Sequence, residues 1–430
     1  MKILVISNLY PPFYLGGYEL GCKNIVDGLV TKGHDVVVLT SPSHVRPSAG
    51  HEQSDVSACA STGVILRRLQ LRSFQPVSSS AESARKLVHF ESMVSNFTNT
   101  CAVLDAINDF KPEVVYLFNL VGVGGLAIVD ALNARQIPWL MHLMDRMPET
   151  LQSGIDQSTL SIFNAYGGDL YNKGNIISMS KHLIDEIESL SGFKFSNQID
   201  LVPGWAKTEK EIYRREYSRF CNYRFVTAGA VQSHKGIEII LEASAILKAQ
   251  GIKNFTVEIY GDGNVGHYVD VSKHLNVADA VTFCGSRTQD ELSEIYKLSD
   301  AFLFPTWERE PFGFAPVEAA AWGCIPIITS TCGVAERLIH NVNSLKIERN
   351  AGSLSSVMRS FCVGEIDCQR IGFNAQLITR EDLNFKYCLN QIENSLKRIF
   401  ETSASECQKI NWRDYNLAYL KHNLAHRLYL

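Results

Sequence analysis

Residues 305–329 read PTWEREPFGFAPVEAAAWGCIPIIT. The apolar run Ala301–Phe304 that precedes them predicts a buried strand, and Pro305 ends this strand because proline has no backbone amide to donate. The middle of the stretch predicts a short helix, which Gly323 ends as a C-terminal glycine does. The run Ile325–Thr329 predicts the next strand. Strand, loop, helix and strand in this order indicate an α/β fold with parallel strands.

Two carboxylates stand eight positions apart in this stretch, Glu310 in the loop and Glu318 in the first turn of the helix. Pro316 fits a first helical position, so Glu318 would be the third helical residue. A glutamate at that position often serves only to cap the helix, which is a structural alternative for Glu318. The residues between the carboxylates have amides that would face an anion at the helix N-terminus. They are Phe312, Gly313, Phe314 and Ala315.

The string EPFGFAPVE at residues 310–318, with the Ala, Gly and Pro that follow it, resembles a known signature. It is the E-x7-E signature of retaining nucleotide-sugar glycosyltransferases of the GT-B fold, family 4 type, also called glycosyl transferases group 1. This resemblance implies an α/β protein with two facing Rossmann-like domains, each with a parallel sheet, and a cleft between them. It also implies that Glu318 holds the ribose hydroxyls of the donor, Glu310 the hydroxyls of its sugar, and the amides after Phe312 its diphosphate.

The length of the chain fits two domains. Its 430 residues exceed one ordinary core and suit two domains of about 200 residues each. By the resemblance, residues 1–205 form an N-terminal acceptor-side domain and residues 206–385 a C-terminal domain that binds the nucleotide sugar. Residues 386–430 are then C-terminal helices that cross back to the N-terminal domain.

Charge and cysteine content argue against several classes of protein. The net charge of −4 is unlike that of a general nucleic-acid binder, which is expected to be basic. Eleven cysteines without a C-x-x-C pair indicate reduced thiols in a cytoplasmic chain rather than a disulfide framework or a zinc site. The N-terminus has the pattern of a first strand and not of a signal peptide. The sequence contains no apolar stretch of about 18 residues, so no membrane span is predicted. Contact with a membrane surface is left as an alternative.

The first loop of the chain carries a glycine pair. The apolar run Ile3–Ile6 predicts a strand and Tyr18–Lys32 a helix, so the loop between them leaves the carboxyl end of a strand, where open α/β sheets bind ligands. A glycine pair is most often only a turn. The pattern PP-x3-GG-x-E resembles the acceptor-side loop of the family. This implies that Gly16, Gly17 and Glu19 line the cleft.

The predicted strand Trp139–Leu143 carries His142 near its end, and Asp145 follows closely. A lone histidine at a strand end is more often structural than catalytic. By the resemblance, His142 corresponds to the histidine that faces the donor sugar. Asp145 stands where the family often has an acidic residue.

Two other patterns in the N-terminal half make structural predictions. The segment Ala81–Phe110 predicts one long helix, and Val64–Leu71 predicts a strand. Three arginines lie on or beside that strand, and they are either a solvated edge or a basic rim for a phosphate-bearing acceptor. They are Arg67, Arg68 and Arg72.

Lys235 follows the predicted strand Tyr223–Gly229 and stands at the N-terminus of the next helix. A cation there is unfavourable by about 0.3–1 kcal/mol unless an anion binds beside it, and a solvated lysine is the structural alternative. By the resemblance, Lys235 contacts the donor diphosphate. Gly261 and Gly263 belong to a G-D-G turn that lies near the nucleotide base in the family.

One position departs from the family pattern, because Gly229 is followed by Ala230 where the family usually has arginine. The loss of one charge-assisted contact to the leaving phosphate would cost about 2–3 kcal/mol, or about 30- to 150-fold in rate. Arg287 and Arg309 are candidates for the missing cation. The departure also keeps open an alternative: a catalytically impaired GT-B protein that binds nucleotide or glycan and supports a partner enzyme.

The C-terminal segment Trp412–Leu430 has the pattern of an amphipathic helix that also carries basic residues. Packing against the rest of the protein is the favoured role of such a helix. A membrane or partner surface is the alternative.

The resemblance implies a retaining, metal-independent glycosyltransferase of the hexosyltransferase type, of the kind used in polysaccharide biosynthesis. Its donor would be a UDP-, GDP- or ADP-sugar, and its acceptor a glycan, a lipid-linked sugar or a small molecule. No cofactor or metal is expected, because no Asp-x-Asp pair stands in a loop that would hold one. A related two-domain epimerase or phosphorylase accounts for the E-x7-E string less well. The base, the sugar and the acceptor depend on loops that vary freely on one fold.

Overall fold

The structure is a computed structural model of the chain. It describes residues 1–42, 63–72, 82–208, 211–217, 222–402 and 410–430. These residues form two compact units, named unit 1 and unit 2. Unit 1 contains Met1–Ser178, Leu183–Val202 and Leu389–Leu430, and unit 2 contains Met179–His182 and Pro203–Cys388.

Unit 1 is built on a parallel sheet. Its strands, among the described residues, are β1 (Lys2–Ile6), β2 (Asp35–Thr40), β3 (Val64–Arg67), β4 (Val114–Leu117), β5 (Trp139–Leu143), β6 (Asn175–Ser178) and β7 (Ile199–Leu201). They lie in the order β3-β2-β1-β4-β5-β6-β7, and every pairing between them is parallel. The central strands are nearly continuous apolar runs, as expected for a sheet whose two faces are both covered.

Helices connect these strands and cover the sheet. They are α1 (Gly17–Thr31), α2 (Glu82–Met93), α3 (Phe97–Phe110), α4 (Gly125–Ala134), α5 (Met147–Gln152), α6 (Gln157–Ile162) and α7 (Lys181–Ser191). The apolar sides of these helices and the sheet form one buried core in unit 1. Strand pairs joined through helices are the βαβ units that the sequence predicted.

Unit 2 repeats this architecture with six strands among its described residues. They are β8 (Tyr223–Ala228), β9 (Phe255–Tyr260), β10 (Val281–Gly285), β11 (Ala301–Phe304), β12 (Ile325–Thr329) and β13 (Leu345–Ile347). They lie in the order β10-β9-β8-β11-β12-β13, and all pairings are again parallel. Both sheets therefore have Rossmann-like order, with a reversal between β1 and β4 in unit 1 and between β8 and β11 in unit 2.

The remaining helices follow β8. They are α8 (Ile237–Ala249), α9 (Val265–His274), α10 (Gln289–Leu298), α11 (Phe314–Ala320), α12 (Ala351–Cys362), α13 (Cys368–Glu381), α14 (Phe385–Thr402) and α15 (Trp412–Tyr429). The residues of α14 from Leu389 onward and all of α15 belong to unit 1. No helix in the described part of the chain is long and apolar enough to cross a membrane.

One local prediction from the sequence is confirmed by the structure, and another is wrong. The T-x-x-E pattern at Thr288 predicts a capping box, which the structure confirms, because Thr288 and Glu291 each accept a hydrogen bond from the backbone amide of the other. The prediction of one helix over Ala81–Phe110 is wrong, since α2 and α3 are separate. The break lies at Asn96, whose side chain accepts a hydrogen bond from the amide of Asn99 and starts α3.

Candidate active site

The loops that follow β8 and β11 meet at the point where the strand order of unit 2 reverses. The backbone amide of Trp307 donates to the carbonyl oxygen of His234 over 2.9 Å. The same approach places Lys235 of one loop against Glu310 of the other, with 2.5 Å between Nζ and Oε2. Ligands of open α/β sheets bind at such reversal points, so this ion pair lies where a substrate is expected.

Gly236 makes the approach of these two loops possible. It directly follows Lys235, has a φ of +75° and precedes helix α8. A Cβ atom at Gly236 would lie 2.1 Å from the carbonyl oxygen of Pro305, which is far inside the contact distance of two non-bonded atoms. A side chain here would push the loops apart and separate Lys235 from Glu310.

Glu310 is held through one carboxylate oxygen and open at the other. Oε2 accepts hydrogen bonds from Lys235 Nζ and, over 3.1 Å, from the hydroxyl of the buried Thr306. Oε1 has no donor among the described residues. The protein thus fixes the carboxylate while leaving an acceptor for a ligand hydroxyl. Thr306 is not among the residues predicted from the sequence, although a threonine between a strand-ending proline and this loop is a recognisable signal.

Helix α11 begins at Phe314, so the prediction that Pro316 is its first residue is wrong. The reason is Gly313, whose φ of +101° turns the chain into the helix earlier. Pro316 is tolerated because amides in the first turn have no intrahelical partner to lose. Glu318 is then the fifth helical residue and caps nothing among the described residues, which excludes the capping role that the sequence left open for this side chain.

The start of α11 presents unpaired amides. The backbone N–H groups of Gly313, Phe314 and Ala315 donate to no acceptor among the described residues. Phe312 is buried, and its ring packs edge-on against Phe314 with 5.7 Å between centroids. A helix N-terminus with free amides attracts anions. The predicted phosphate-contacting segment therefore has backbone amides that are available to a ligand.

Glu318 has an unusual protonation equilibrium. Burial raises its pKa from 4.5 to about 7, and the nearby Gln289 side chain and Lys207 only partly offset this effect. A carboxyl group whose charged form is disfavoured by burial is common at functional sites. Hydrogen bonds from a ligand to the carboxylate would lower this pKa again, so Glu318 is suited to accept hydroxyl donors.

The glycines of the G-D-G turn have a structural reason to be glycine. A Cβ atom at Gly261 would lie 1.8 Å from the carbonyl oxygen of Gly229, and one at Gly263 would lie 2.6 Å from that of Val231. The turn is thus held close to the loop after β8. Their predicted place near the nucleotide base stays a prediction.

The loop after β8 has Ala230 where the family has arginine, and the structure adds a third candidate cation. Arg287 is exposed, with its guanidinium 5.7 Å from the Tyr260 ring. Arg309 is exposed in the loop after β11, beside Glu310. Arg349, which the sequence did not single out, donates to the carbonyl oxygen of Ser233 over 3.0 Å and so reaches the loop that carries Lys235.

In unit 1, the glycine pair lies where helix α1 begins. Gly16 has an extended backbone and Gly17 is the first helical residue. A Cβ atom on either would meet nothing within 4 Å, and neither has a positive φ. The fold therefore does not itself require glycine at these two positions.

Glu19 serves the start of α1. Its carboxylate accepts hydrogen bonds from the amides of Leu15 and Gly16 over 3.2 and 3.0 Å, and the side chain is buried. Burial raises the pKa of Glu19. The structure thus gives Glu19 a capping role, whereas the sequence predicted a residue that lines the cleft.

His142 lies on β5 and is completely buried within unit 1. Its Nδ1 is 2.8 Å from the Tyr116 hydroxyl, and Nε2 has no partner among the described residues. Burial lowers its pKa to about 3, so the ring is neutral. The Tyr18 hydroxyl donates to the carbonyl oxygen of His142 over 2.8 Å. His142 therefore has no exposed surface, whereas Asp145, just beyond β5, is exposed.

Arg67 on β3 and Arg72 beyond it have different structural roles. Arg67 donates to the carbonyl oxygens of Tyr10, Ser41 and Pro11, so it holds the first loop rather than a ligand. Arg72 forms an ion pair with Glu91 over 2.9 Å. Neither residue is the free basic rim that the sequence left open.

Metal binding and disulfide formation both need side chains grouped in space, which the described residues do not supply. No group of three His, Cys, Asp or Glu side chains among them is arranged to hold a metal ion. The eight cysteines in the described part of the chain are free thiols.

The sequence of this chain is similar to the sequences of known glycosyltransferases. A family model for glycosyl transferases group 1 matches residues 211–377. An uncharacterized glycosyltransferase of Methanocaldococcus jannaschii is 24% identical over 368 residues, which cover 80% of this chain and 84% of that protein. A glycogen synthase of Mycobacterium tuberculosis is 24% identical over 377 residues, which cover 84% of this chain and 86% of the relative.

Solved structures agree with the fold. A glycosyltransferase from Rickettsia africae has a TM-score of 0.68 at 13% identity and covers 93% of this chain and 98% of its own. The Anabaena protein HepE, in complex with UDP, has a TM-score of 0.63 at 18% identity and covers 93% of this chain and 100% of its own. Residues 211–377 therefore match the group 1 glycosyltransferases, and the chain is a glycosyltransferase with the GT-B fold. Within this glycosyltransferase, Lys235, Glu310 and Glu318 all lie in unit 2.

We expect Glu318→Gln to stabilise the glycosyltransferase at neutral pH and to leave its stability at acid pH unchanged. Between pH 4.5 and about 7 the folded protein keeps a proton that the unfolded chain has lost. The free-energy cost of Glu318 therefore grows as the pH rises through this window and levels off above it, at up to about 3 kcal/mol. Urea unfolding of both proteins from acid to alkaline pH measures the difference.

The exposed Glu242 on α8 provides the matched control for this experiment. Glu242→Gln should show no comparable rise in stability with pH. A Glu318→Gln difference that is constant across the pH range would contradict the raised pKa.

We expect Gly17→Ala to fold normally but to transfer sugar more slowly. The added Cβ meets no described atom within 4 Å, and alanine in a helix is favoured over glycine by up to about 1 kcal/mol. Thermal stability should thus be unchanged or higher. If Gly17 is glycine because a substrate approaches it, kcat/KM should fall at least about tenfold.

Gly266→Ala is the matched control, because Gly266 also lies near the start of a helix, α9, with nothing within 4 Å of an added Cβ. This variant should retain full activity. Equal activity of Gly17→Ala and wild type would show that no substrate approaches the glycine pair closely.

Proposed function

We propose that this glycosyltransferase moves a sugar from a nucleotide diphosphate sugar to a glycan, lipid-linked or small-molecule acceptor, with retention at the anomeric carbon. The observation that carries the proposal is the Lys235–Glu310 ion pair at the strand reversal of unit 2. Free amides follow it, at Gly313 and Phe314. The lysine and the free amides suit the diphosphate of a nucleotide sugar, and Glu310 suits the hydroxyls of its sugar. Glu318 suits the hydroxyls of its ribose.

The transition state of such a transfer builds negative charge on the departing diphosphate. In the proposed complex, Lys235 Nζ and the amides at the start of α11 stabilise this charge. These groups are already positioned before the donor binds, because Gly236 fixes the lysine loop and Gly313 fixes the helix start. The proposal assigns no step to a metal ion, since the positive charge comes from these groups.

The sugar of the donor is assigned to Glu310. Its Oε1 has no partner in the described part of the chain, while Thr306 and Lys235 hold Oε2. A sugar hydroxyl can therefore donate to a carboxylate whose orientation is fixed. The ribose hydroxyls are assigned to Glu318, whose pKa of about 7 falls when they donate. Structural neighbours solved with UDP and with UDP-glucose support a uridine donor among the candidates.

Unit 1 is assigned the acceptor. Gly16 and Gly17 support this role, because the fold gives no reason of its own for glycine at either position. The exposed Asp145 is a candidate to contact the sugar acceptor. We assign His142 a positioning role, since its carbonyl oxygen receives the Tyr18 hydroxyl and its ring is buried. We place the reaction in the cytoplasm, in keeping with the free thiols of the described cysteines.

We expect one nucleotide to stabilise the purified protein against heat, and we expect Glu318→Ala to lose this effect. The panel contains UDP, GDP, ADP and their glucose conjugates. A ligand at about 100 times its dissociation constant adds about 2.7 kcal/mol of stability. Glu242→Ala, which removes an exposed carboxylate from the same unit, should keep the full shift. If no nucleotide shifts the wild-type protein, the proposed donor site is wrong.

We expect Lys235→Ala to lower kcat for sugar transfer by about 10²- to 10³-fold, as does the loss of one preorganised group that stabilises developing charge. The assay uses the donor that the thermal panel identifies. Lys248→Ala is the matched control, because Lys248 also lies in unit 2 and forms an ion pair of 2.5 Å, with Asp279. It should stay within about twofold of wild type.

Two results would count against this assignment. A Lys235→Ala enzyme with near-normal kcat would remove Lys235 from the chemistry. A wild-type protein that binds nucleotide but transfers no sugar would favour the catalytically impaired alternative, in which Ala230 has replaced a needed arginine.

A further inference from the structure

The outward side of helix α15 is apolar. Six large hydrophobic side chains of this helix are exposed, each by between 43% and 68%. They are Trp412, Leu417, Tyr419, Leu420, Leu424 and Leu428. A helix on the surface of a protein ordinarily turns polar residues outward, and exposed apolar patches of this kind mark interaction surfaces.

The opposite side of α15 is fixed to unit 1, so the apolar side cannot turn inward. Lys421 Nζ donates to both carboxylate oxygens of Asp130 on α4, over 2.8 and 2.6 Å. The Tyr415 hydroxyl donates to Asp105 on α3 over 2.6 Å, and Ala425 is completely buried. Polar and apolar contacts on this side thus hold the helix in one rotation about its axis.

The outward side carries only positive charge. Arg413 and Arg427 are exposed, and neither has an ion-pair partner in the described part of the chain. Asp414 is largely buried and pairs over 3.3 Å with Arg135, the residue that follows α4. The two arginines stand seven residues before and after Leu420, close to two helical turns on each side, so they lie on the same side as the leucines.

We propose that the outward side of α15 binds the surface of an anionic lipid bilayer. The leucines and Trp412 enter the boundary between head groups and acyl chains, while Arg413 and Arg427 pair with phosphate. Amphipathic helices that lie in this plane combine apolar and basic residues in the same way. The helix is about 27 Å long and lies flat on the membrane, held by unit 1 behind it.

The charges argue against a second copy of the chain as the occupant of this surface. In an antiparallel pair of helices centred on Leu420, Arg413 of one copy would meet Arg427 of the other. No exposed acidic side chain of α15 stands on this side to neutralise them. An anionic bilayer supplies both the apolar environment and the negative charge.

Sedimentation with lipid vesicles tests the proposal on the full-length protein. One vesicle type is phosphatidylcholine, and the other is phosphatidylcholine mixed with phosphatidylglycerol. We expect the protein to sediment with the second type and the binding to weaken as salt rises. The double variant Leu420→Glu/Leu424→Glu should bind at least about tenfold more weakly, and Arg413→Glu/Arg427→Glu should lose the preference for phosphatidylglycerol.

Leu298→Glu is the matched control, because Leu298 on α10 and Leu420 are both 64% exposed. This variant should bind vesicles like wild type. The thermal stability of each variant confirms that it is folded, as expected for substitutions at exposed sites.

Three outcomes would overturn the proposal. They are wild-type protein that fails to bind phosphatidylglycerol vesicles, equal binding to both vesicle types, and binding that the leucine variant leaves intact. Sedimentation velocity addresses the other occupant. A wild-type dimer that Leu420→Glu/Leu424→Glu converts to monomer, without vesicle binding by either, would show that the surface joins two copies of the chain.

Discussion

The contact between the loops after β8 and β11 determines the geometry of the site in unit 2. It depends on Gly236, because a Cβ atom there would lie 2.1 Å from the carbonyl oxygen of Pro305. The contact fixes Lys235 and Glu310 together at the strand reversal, where a parallel α/β sheet leaves room for a ligand. The remaining features of the site, from Thr306 to the start of α11, lie along the second of these loops or directly after it.

The charges of this site are balanced before any ligand arrives. Lys235 and Glu310 neutralise each other, so an incoming diphosphate competes with Glu310 for the lysine. In the proposed complex this competition is eased twice, because sugar hydroxyls replace the lysine as donors to Glu310 and free amides at Gly313 and Phe314 share the phosphate charge. Arg349, whose guanidinium donates to the carbonyl oxygen of Ser233, brings a further cation to the same loop. Two cations, Lys235 and Arg349, are therefore at this loop even though position 230 is not arginine.

The strands were predictable because buried parallel strands are continuous apolar runs, as at β11 and β12. The start of α11 was not predictable, because the positive φ of Gly313 is a backbone property that the amino-acid sequence does not show. The identity of the ion-pair residues came from a family resemblance. Their distance could not come from the sequence, since Lys235 and Glu310 are 75 positions apart. The complete burial of His142 likewise depends on packing that no local pattern reveals.

Residues that the fold does not need are the best physical markers of the site. Gly261 and Gly263 must be glycine for packing, so they carry little information about a ligand. Gly17 is free of such constraints, yet it is glycine at the start of a helix, where alanine would be more stable. Glu318 is held at a pKa of about 7, which lowers the stability of the folded state at neutral pH. Both residues oppose stability, and the proposed binding of substrate is a physical reason to keep them.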